Sequence, residues 1–168
     1  ESIGRLHSFC GNFGVMIKAY AYILSMGSEN LQKASQLAVL NANYIKEKLK
    51  SVFHLPYDRP CMHECVFSDK NQTPNKVTTL DIAKRLMEYG FHPPTIYFPL
   101  IVKGAIMVEP TETESKQTID EFIAIMLDIA KEAEENPEAI ITAPHTTPVG
   151  RVDEVKAAKD MNLTFCPC

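Results

Sequence analysis

The sequence predicts an α+β fold, a small antiparallel sheet with helices on one face, preceded by a linking pair of helices. Three observations carry that expectation. First, β-favouring runs begin near residues 52, 64, 96 and 105. The last two are separated by Val102-Lys103-Gly104, which can turn one strand back on the other. Second, apolar residues recur at helical spacing between Glu29 and Lys50, after Thr78, and from Ile119 to Ala130. Third, the stretch from Tyr89 to Glu114 compresses a helix stop, a proline-stiffened loop, two strands and a helix start.

In chain order, Cys10-Gly11-Asn12-Phe13-Gly14 leads into Val15 to Met26, which is apolar almost throughout and reads as a helix buried on most of its surface, closed by Gly27. From Glu29 to Lys50 the residues Leu31, Ala34, Leu37, Ala38, Ile45 and Leu49 form one stripe of an amphipathic helix. Val52-Phe53-His54-Leu55 is a strand candidate stopped by Pro56, and Tyr57-Asp58-Arg59-Pro60 is a turn. Glu64 to Ser68 is the second strand, followed by a polar loop to Lys76. Thr78 with Asp81 caps a helix that ends at Gly90, where only glycine adopts the left-handed conformation cheaply. Pro93-Pro94 forbids helix and leaves a stiff loop carrying His92 and Thr95. Ile96 to Ile101 and Ala105 to Glu109 form the hairpin, and Thr111 with Glu114 reads as a capping box for the final long helix. Ile119, Phe122, Ile123, Met126, Leu127 and Ala130 give that helix its core stripe. Asn136-Pro137 stops it. The segment Ala143 to Val149 is proline-rich and suited to run over a surface, with a short helix possible from Asp153 to Lys159.

The chain has 168 residues, 45% hydrophobic, and a formal net charge of -4, enough for one domain and without the basic footprint of a nucleic-acid binder. No apolar run is long enough to cross a bilayer, because Lys18 interrupts the longest, so a soluble protein is expected. Five cysteines, an odd number, lack the dense even framework of a small secreted domain, and a reducing, cytoplasmic compartment fits best. The sequence opens on Glu1 rather than methionine, and Ile3, Leu6 and Phe9 are apolar before any turn or cap appears. It is therefore expected to be a piece of a longer polypeptide.

The strings Ser2-Ile3-Gly4-Arg5, Ser8 to Gly14, His63 to Ser68, Tyr89 to Thr95, Met107 to Glu114 and Ala143 to Val149, taken in order, resemble the C-terminal part of glycine dehydrogenase (decarboxylating). This is the P-protein of the glycine cleavage system, and the likeness is greatest to subunit 2 of the two-subunit bacterial form. The resemblance implies the small C-terminal domain of an aspartate-aminotransferase-like (fold type I) enzyme of glycine catabolism that uses pyridoxal 5'-phosphate. Glycine loses its carboxylate on the cofactor, and the aminomethyl group passes to the lipoyl arm of H-protein; subunit 1 and H-protein are the implied partners. On that template residues 1–27 connect to a large domain, 28–136 form the small domain, and 137–168 are a proline-rich tail. In that family the Schiff-base lysine lies upstream of the Ser-Ile-Gly-Arg string, hence upstream of Glu1, so no lysine here matches it. The piece is therefore expected neither to bind the cofactor covalently nor to turn over glycine alone. Two other readings stay open: the same domain of another fold type I enzyme, such as a glutamate-type decarboxylase, and a non-catalytic binding module.

Candidate cleft residues follow. His92 and Thr95 offer an imidazole and a hydroxyl suited to a carboxylate or cofactor oxygen, or tie the loop to the backbone. His63 and Glu64 sit at a strand start, either beside a site or capping an edge. Ser8 and Asn12 could reach an active site across a dimer. Glu109 and Glu112 flank a helix N-terminus, which favours acids in any case. His145 could cover a cleft or meet a partner. Of Arg5, Arg59, Arg85 and Arg151, none is assigned to a carboxylate; Arg85 reads as solvated. Cys61, His63 and Cys65 would share one side of a strand and could take zinc, although no C-x-x-C pair or fourth ligand accompanies them. No metal is expected. The thiols of Cys10, Cys61, Cys166 and Cys168 are given no role. The apolar faces of the first helix are expected to drive self-association of the isolated piece.

Overall fold

The computed structural model describes residues 2–164, so Glu1, Cys166 and Cys168 lie outside the described residues. Helix α1 (Phe13–Leu49) begins where the Asn12 side chain accepts a hydrogen bond from the Val15 amide. It is two helices joined at Gly27, whose φ of 67° and ψ of 173° no residue with a side chain adopts cheaply. The following elements are β1 (Cys65–Ser68), α2 (Thr79–Glu88), β2 (Thr95–Ile96), β3 (Ala105–Val108), α3 (Lys116–Glu135), α4 (Pro137–Ile141) and α5 (Glu154–Lys159). The sheet is antiparallel with order β1-β3-β2, and Cys65 stands opposite Val108, Phe67 opposite Ile106, and Thr95 opposite Met107.

Because side chains alternate across a strand, Cys65, Phe67, Ile106 and Val108 share one face. That face meets Ile45 and Leu49 of α1, Ile82 and Leu86 of α2, Phe122, Met126 and Ile129 of α3, and Ile140 of α4 in one buried cluster. Phe53 and Phe67 meet there with ring centroids 6.2 Å apart. The observed class is α+β with a three-stranded sheet.

Several local expectations change. Val52 to Leu55 is not a strand: the amides of Val52 and Phe53 both donate to the Leu49 carbonyl, prolonging the helix end, and only His54 bridges to Ser68. β2 stops at Ile96 because Tyr97 takes a φ of 58°, which no extended strand tolerates, and Pro99 has no amide to donate. The final long helix is capped by Ser115, whose hydroxyl accepts from the Thr118 amide at 3.0 Å; Thr111 instead closes a turn with the Glu114 amide. In α3, Leu127 is exposed, and Ile129 and Ala133 complete the core stripe. The first half of α1 is exposed on all sides rather than buried, and the stripe of its second half is fully covered only at Ile45 and Leu49. The sheet is too short to reach further along so long a helix. The Thr78 to Asp81 capping box and the left-handed Gly90, with φ of 80°, are as the sequence predicts.

Asp69 joins three elements. Its Oδ2 accepts from the Thr79 amide at 2.9 Å and lies 3.0 Å from the Thr79 hydroxyl, and its own amide donates to the Gly104 carbonyl. A Cβ on Gly104, where φ is 63°, would sit 1.9 Å from Asp69 Oδ1.

The segment after α4 is fastened at two points. Arg151 reaches Asp81 Oδ1 at 2.6 Å and donates to the Ala143 carbonyl, while Asp81 also caps α2. Arg85 is paired, not solvated: it donates to both Glu132 oxygens at 2.9 Å and to Glu88. The Glu88 carboxylate, only 4% exposed, also accepts from the His145 and Thr146 amides. Burial alone pushes the Glu88 carboxyl up, but the His145 amide, Arg85 and the Thr146 amide outweigh it and hold it down at about 2. Burial works against the Arg85 charge as well, and Glu132 and Glu88 together raise its pKa above the ordinary value.

Candidate functional site

The stiff loop after α2 is anchored by Phe91. Its amide donates to the Leu86 carbonyl, and its ring meets Phe122 edge-on with centroids 5.7 Å apart. With Phe91 fixed and Pro93-Pro94 unable to coil, the chain enters β2 at Thr95, which pairs with Met107. Beside this loop, the exit of β3 at Glu109-Pro110 and the first turns of α3 enclose a cleft of about 420 Å³. His92, Thr95, Glu109, Glu114 and Thr118 supply its polar groups, and Phe91, Met107, Ile119 and Phe122 its apolar floor.

His63 and Glu64 lie on a loop held by α1; they do not line the cleft, and His63 approaches it only through Glu109. The Asn43 side chain holds Cys61 at both backbone atoms, accepting from its amide at 3.0 Å and donating to its carbonyl at 2.7 Å. Lys46, buried along its stem, donates to the Arg59 carbonyl at 3.0 Å and pairs with Glu47. The loop so held brings His63 Nε2 to 3.4 Å from Glu109 and 3.8 Å from Glu64. A second asparagine, Asn41, donates to the Thr111 carbonyl at 3.0 Å and fixes the other wall.

His92, Thr95 and Glu109 thus line one cleft, and His63 lies beside Glu109 from outside that lining. Among the described residues the His92 side chain makes no hydrogen bond, so nothing ties it to a backbone carbonyl. Ser8 is exposed on the N-terminal arm and Asn12 caps α1; neither lines the cleft. His145 is engaged by Glu88 and by the Thr142 hydroxyl at 2.9 Å, away from the cleft lining. Cys61, His63 and Cys65 do not share one strand, because β1 begins only at Cys65. Burial pushes the Cys65 thiol well above its ordinary range and the Cys61 thiol less so, which disfavours the thiolate a metal needs. Glu109, read from sequence as flanking a helix N-terminus, lines the cleft and lies 3.4 Å from His63. The register that places Cys65 opposite Val108 sets Glu64 opposite Glu109, and that pairing between distant segments is the signal.

Comparison with known proteins bears on the whole of this site. A family model described as "Glycine dehydrogenase, C-terminal domain" matches residues 34–147, which include every cleft residue named above. The "Probable glycine dehydrogenase (decarboxylating) subunit 2" of Caldanaerobacter subterraneus subsp. tengcongensis is 61% identical over 159 residues, 95% of this chain and 33% of that protein. The proteins of the same name from Bacillus cereus and Chlorobium phaeovibrioides are 55% and 54% identical, over 99% and 97% of this chain and 31% and 34% of theirs. The chain thus spans about a third of the length of the curated relatives it matches. The match extends over nearly all of the described fold, and the chain belongs to the glycine dehydrogenase C-terminal domain family.

Proposed function

We propose that this chain is the C-terminal small domain of a fold type I glycine decarboxylase, cytoplasmic, and that the cleft around Glu109 is the wall this domain contributes to the active site. The observation that carries the reading is identity above half over almost the whole chain to proteins named glycine dehydrogenase (decarboxylating) subunit 2. On this reading the parent works with a subunit 1 and passes the aminomethyl group of glycine to the lipoyl arm of H-protein. His92 and Thr95 hydrogen-bond the substrate or cofactor oxygens, with Glu109 and His63 holding the neighbouring wall. Ser8 and Asn12 lie on the connecting segment, residues 1–27, where a neighbouring subunit is the site they could serve. In the isolated piece that connecting segment mediates self-association.

Pyridoxal 5'-phosphate is the cofactor implied. The cleft residues do not fit as its complete site, because no lysine lines the cleft and no arginine does. The Schiff-base lysine, upstream of Glu1 on this reading, and the phosphate cradle belong to the remainder of the parent protein, and this chain alone is inactive. The role left to its own residues is orientation and the exclusion of water beside the reacting group.

A chimera tests the reading. The C-terminal third of the Bacillus cereus subunit 2 is replaced by this chain, combined with subunit 1 and H-protein, and assayed for glycine-dependent exchange of labelled bicarbonate. Exchange near the level of the unmodified protein is expected. A folded, cofactor-loaded chimera without exchange would remove the reading.

A further inference from the structure

Beyond β2 the chain turns through Tyr97 to Ile101 and shows solvent a run of large apolar side chains: Tyr97, Phe98, Leu100 and Ile101 are 48%, 54%, 87% and 77% exposed. Both ends of this tip are fixed. The Tyr97 amide donates to the Ala105 carbonyl at 2.8 Å and the Val102 amide to the Pro99 carbonyl at 3.0 Å, while Val102 and Ala105 are themselves buried. Tyr97 keeps a left-handed φ of 58°, which a bulky residue adopts only where its surroundings impose it. The tip is therefore a preformed apolar knob, and ordering it costs little when it meets a partner. Ile101 and Val102 also edge an open recess of about 610 Å³ that Pro56 and Pro74 line as well, so a hollow lies beside the knob. Apolar residues displayed in succession on a turn are a liability for a free surface and mark a contact.

Among the described residues nothing covers the tip, and the length of the parent protein points to what does. This chain spans 33% and 31% of two curated relatives and matches a C-terminal domain, so about two thirds of the parent lies outside it. A surface on that remainder is tethered to the tip, and a tether brings the effective concentration to the millimolar range, far above a free second copy at micromolar concentration. We infer that Tyr97 to Ile101 is the knob by which this domain docks on the preceding part of its own parent polypeptide, into an uncharged apolar recess there. The inference rests on the reading of this chain as the C-terminal domain of a longer enzyme.

Hydrogen–deuterium exchange read by mass spectrometry, on this chain and on the Bacillus cereus chimera, tests it. In the chain alone the Phe98, Leu100 and Ile101 amides make no hydrogen bond among the described residues, so fast exchange is expected at every concentration. In the chimera, without subunit 1 or H-protein, the peptide covering residues 97–102 should exchange at least about tenfold more slowly. Leu100→Glu with Ile101→Glu should leave the melting temperature of the chain alone within about 2 °C, because both side chains stand in solvent, and should abolish the protection in the chimera. Protection that rises with concentration in the chain alone would assign the knob to a second copy, and protection that appears only on adding subunit 1 or H-protein would assign it to that protein. Equal exchange in chain and chimera would leave the tip uncovered, and each of these three results overturns the inference. Glycine-dependent bicarbonate exchange by the same chimera is scored separately: protection without catalysis removes the reading of the activity and keeps the docking, whereas catalysis without protection does the reverse.

Discussion

Single residues fix this fold where two distant segments must touch. Gly104 is one: its left-handed backbone and the Asp69 carboxylate within 1.9 Å of a would-be Cβ leave no room for a methyl group. Gly104→Ala should lower stability by about 2–4 kcal/mol in urea unfolding, combining backbone strain with displacement of the carboxylate that caps α2. A loss below about 0.5 kcal/mol would show that Asp69 shifts freely. Glu88 is another, and its pH dependence has a definite sign. Its pKa is depressed from an ordinary 4.5 to about 2, so its contribution is complete above pH 4.5 and is lost as pH falls from there toward 2. Glu88→Gln should therefore cost about 2 kcal/mol at neutral pH, a figure discounted because the cluster opens to solvent beside His145, and the gap to the unsubstituted chain should close on acidification. A gap that is constant with pH would mean that the carboxylate charge is not what matters. Neither residue announces itself in the sequence. Gly104 reads as a turn glycine, which it is, but the approach of Asp69 is visible only in three dimensions, and Arg85 reads as solvated because its partner Glu132 lies on another segment.

At the scale of elements, periodicity made α2, α3 and the second half of α1 legible, and local caps placed α2 correctly at Thr78 and Gly90. Strand lengths were not legible. β-propensity extends through Ile101, but Tyr97 leaves the strand region and only Ile96 keeps its pairing, so a two-residue β2 suffices to hold Thr95 beside Met107. The first half of α1 is the opposite case: its apolar character is plain in the sequence, yet composition cannot tell a buried helix from an uncovered one. Phe13, Val15, Tyr20 and Leu24 are each more than 60% exposed, and apolar surface of that extent favours association. Light scattering at micromolar concentration should give a mass above that of one chain, reduced to one chain by Ile17→Glu with Tyr20→Glu. A single-chain mass before substitution would show that this surface stays uncovered.

At the scale of the whole molecule, the sheet sets His63 beside Glu109, and His92 and Thr95 line the same cleft as Glu109. His92 and Thr95 were recognisable from the proline-stiffened loop, and His63 and Glu64 from their strand start. The approach of His63 to Glu109 was not, since it depends on β1 pairing with β3 across some forty residues of chain. The family was legible in the ordered strings without any of this geometry, and the geometry adds the part of the site that the domain would bring. If the cleft faces reacting glycine in the parent enzyme, removing His92 must be felt in the chemistry and not in folding, because its side chain is exposed and makes no hydrogen bond among the described residues. The deciding measurement is glycine-dependent bicarbonate exchange by the chimera carrying His92→Ala, at an unchanged melting temperature. The account predicts a loss of at least about tenfold in kcat/KM from the lost positioning of substrate; a rate within about twofold of the unsubstituted chimera would contradict it.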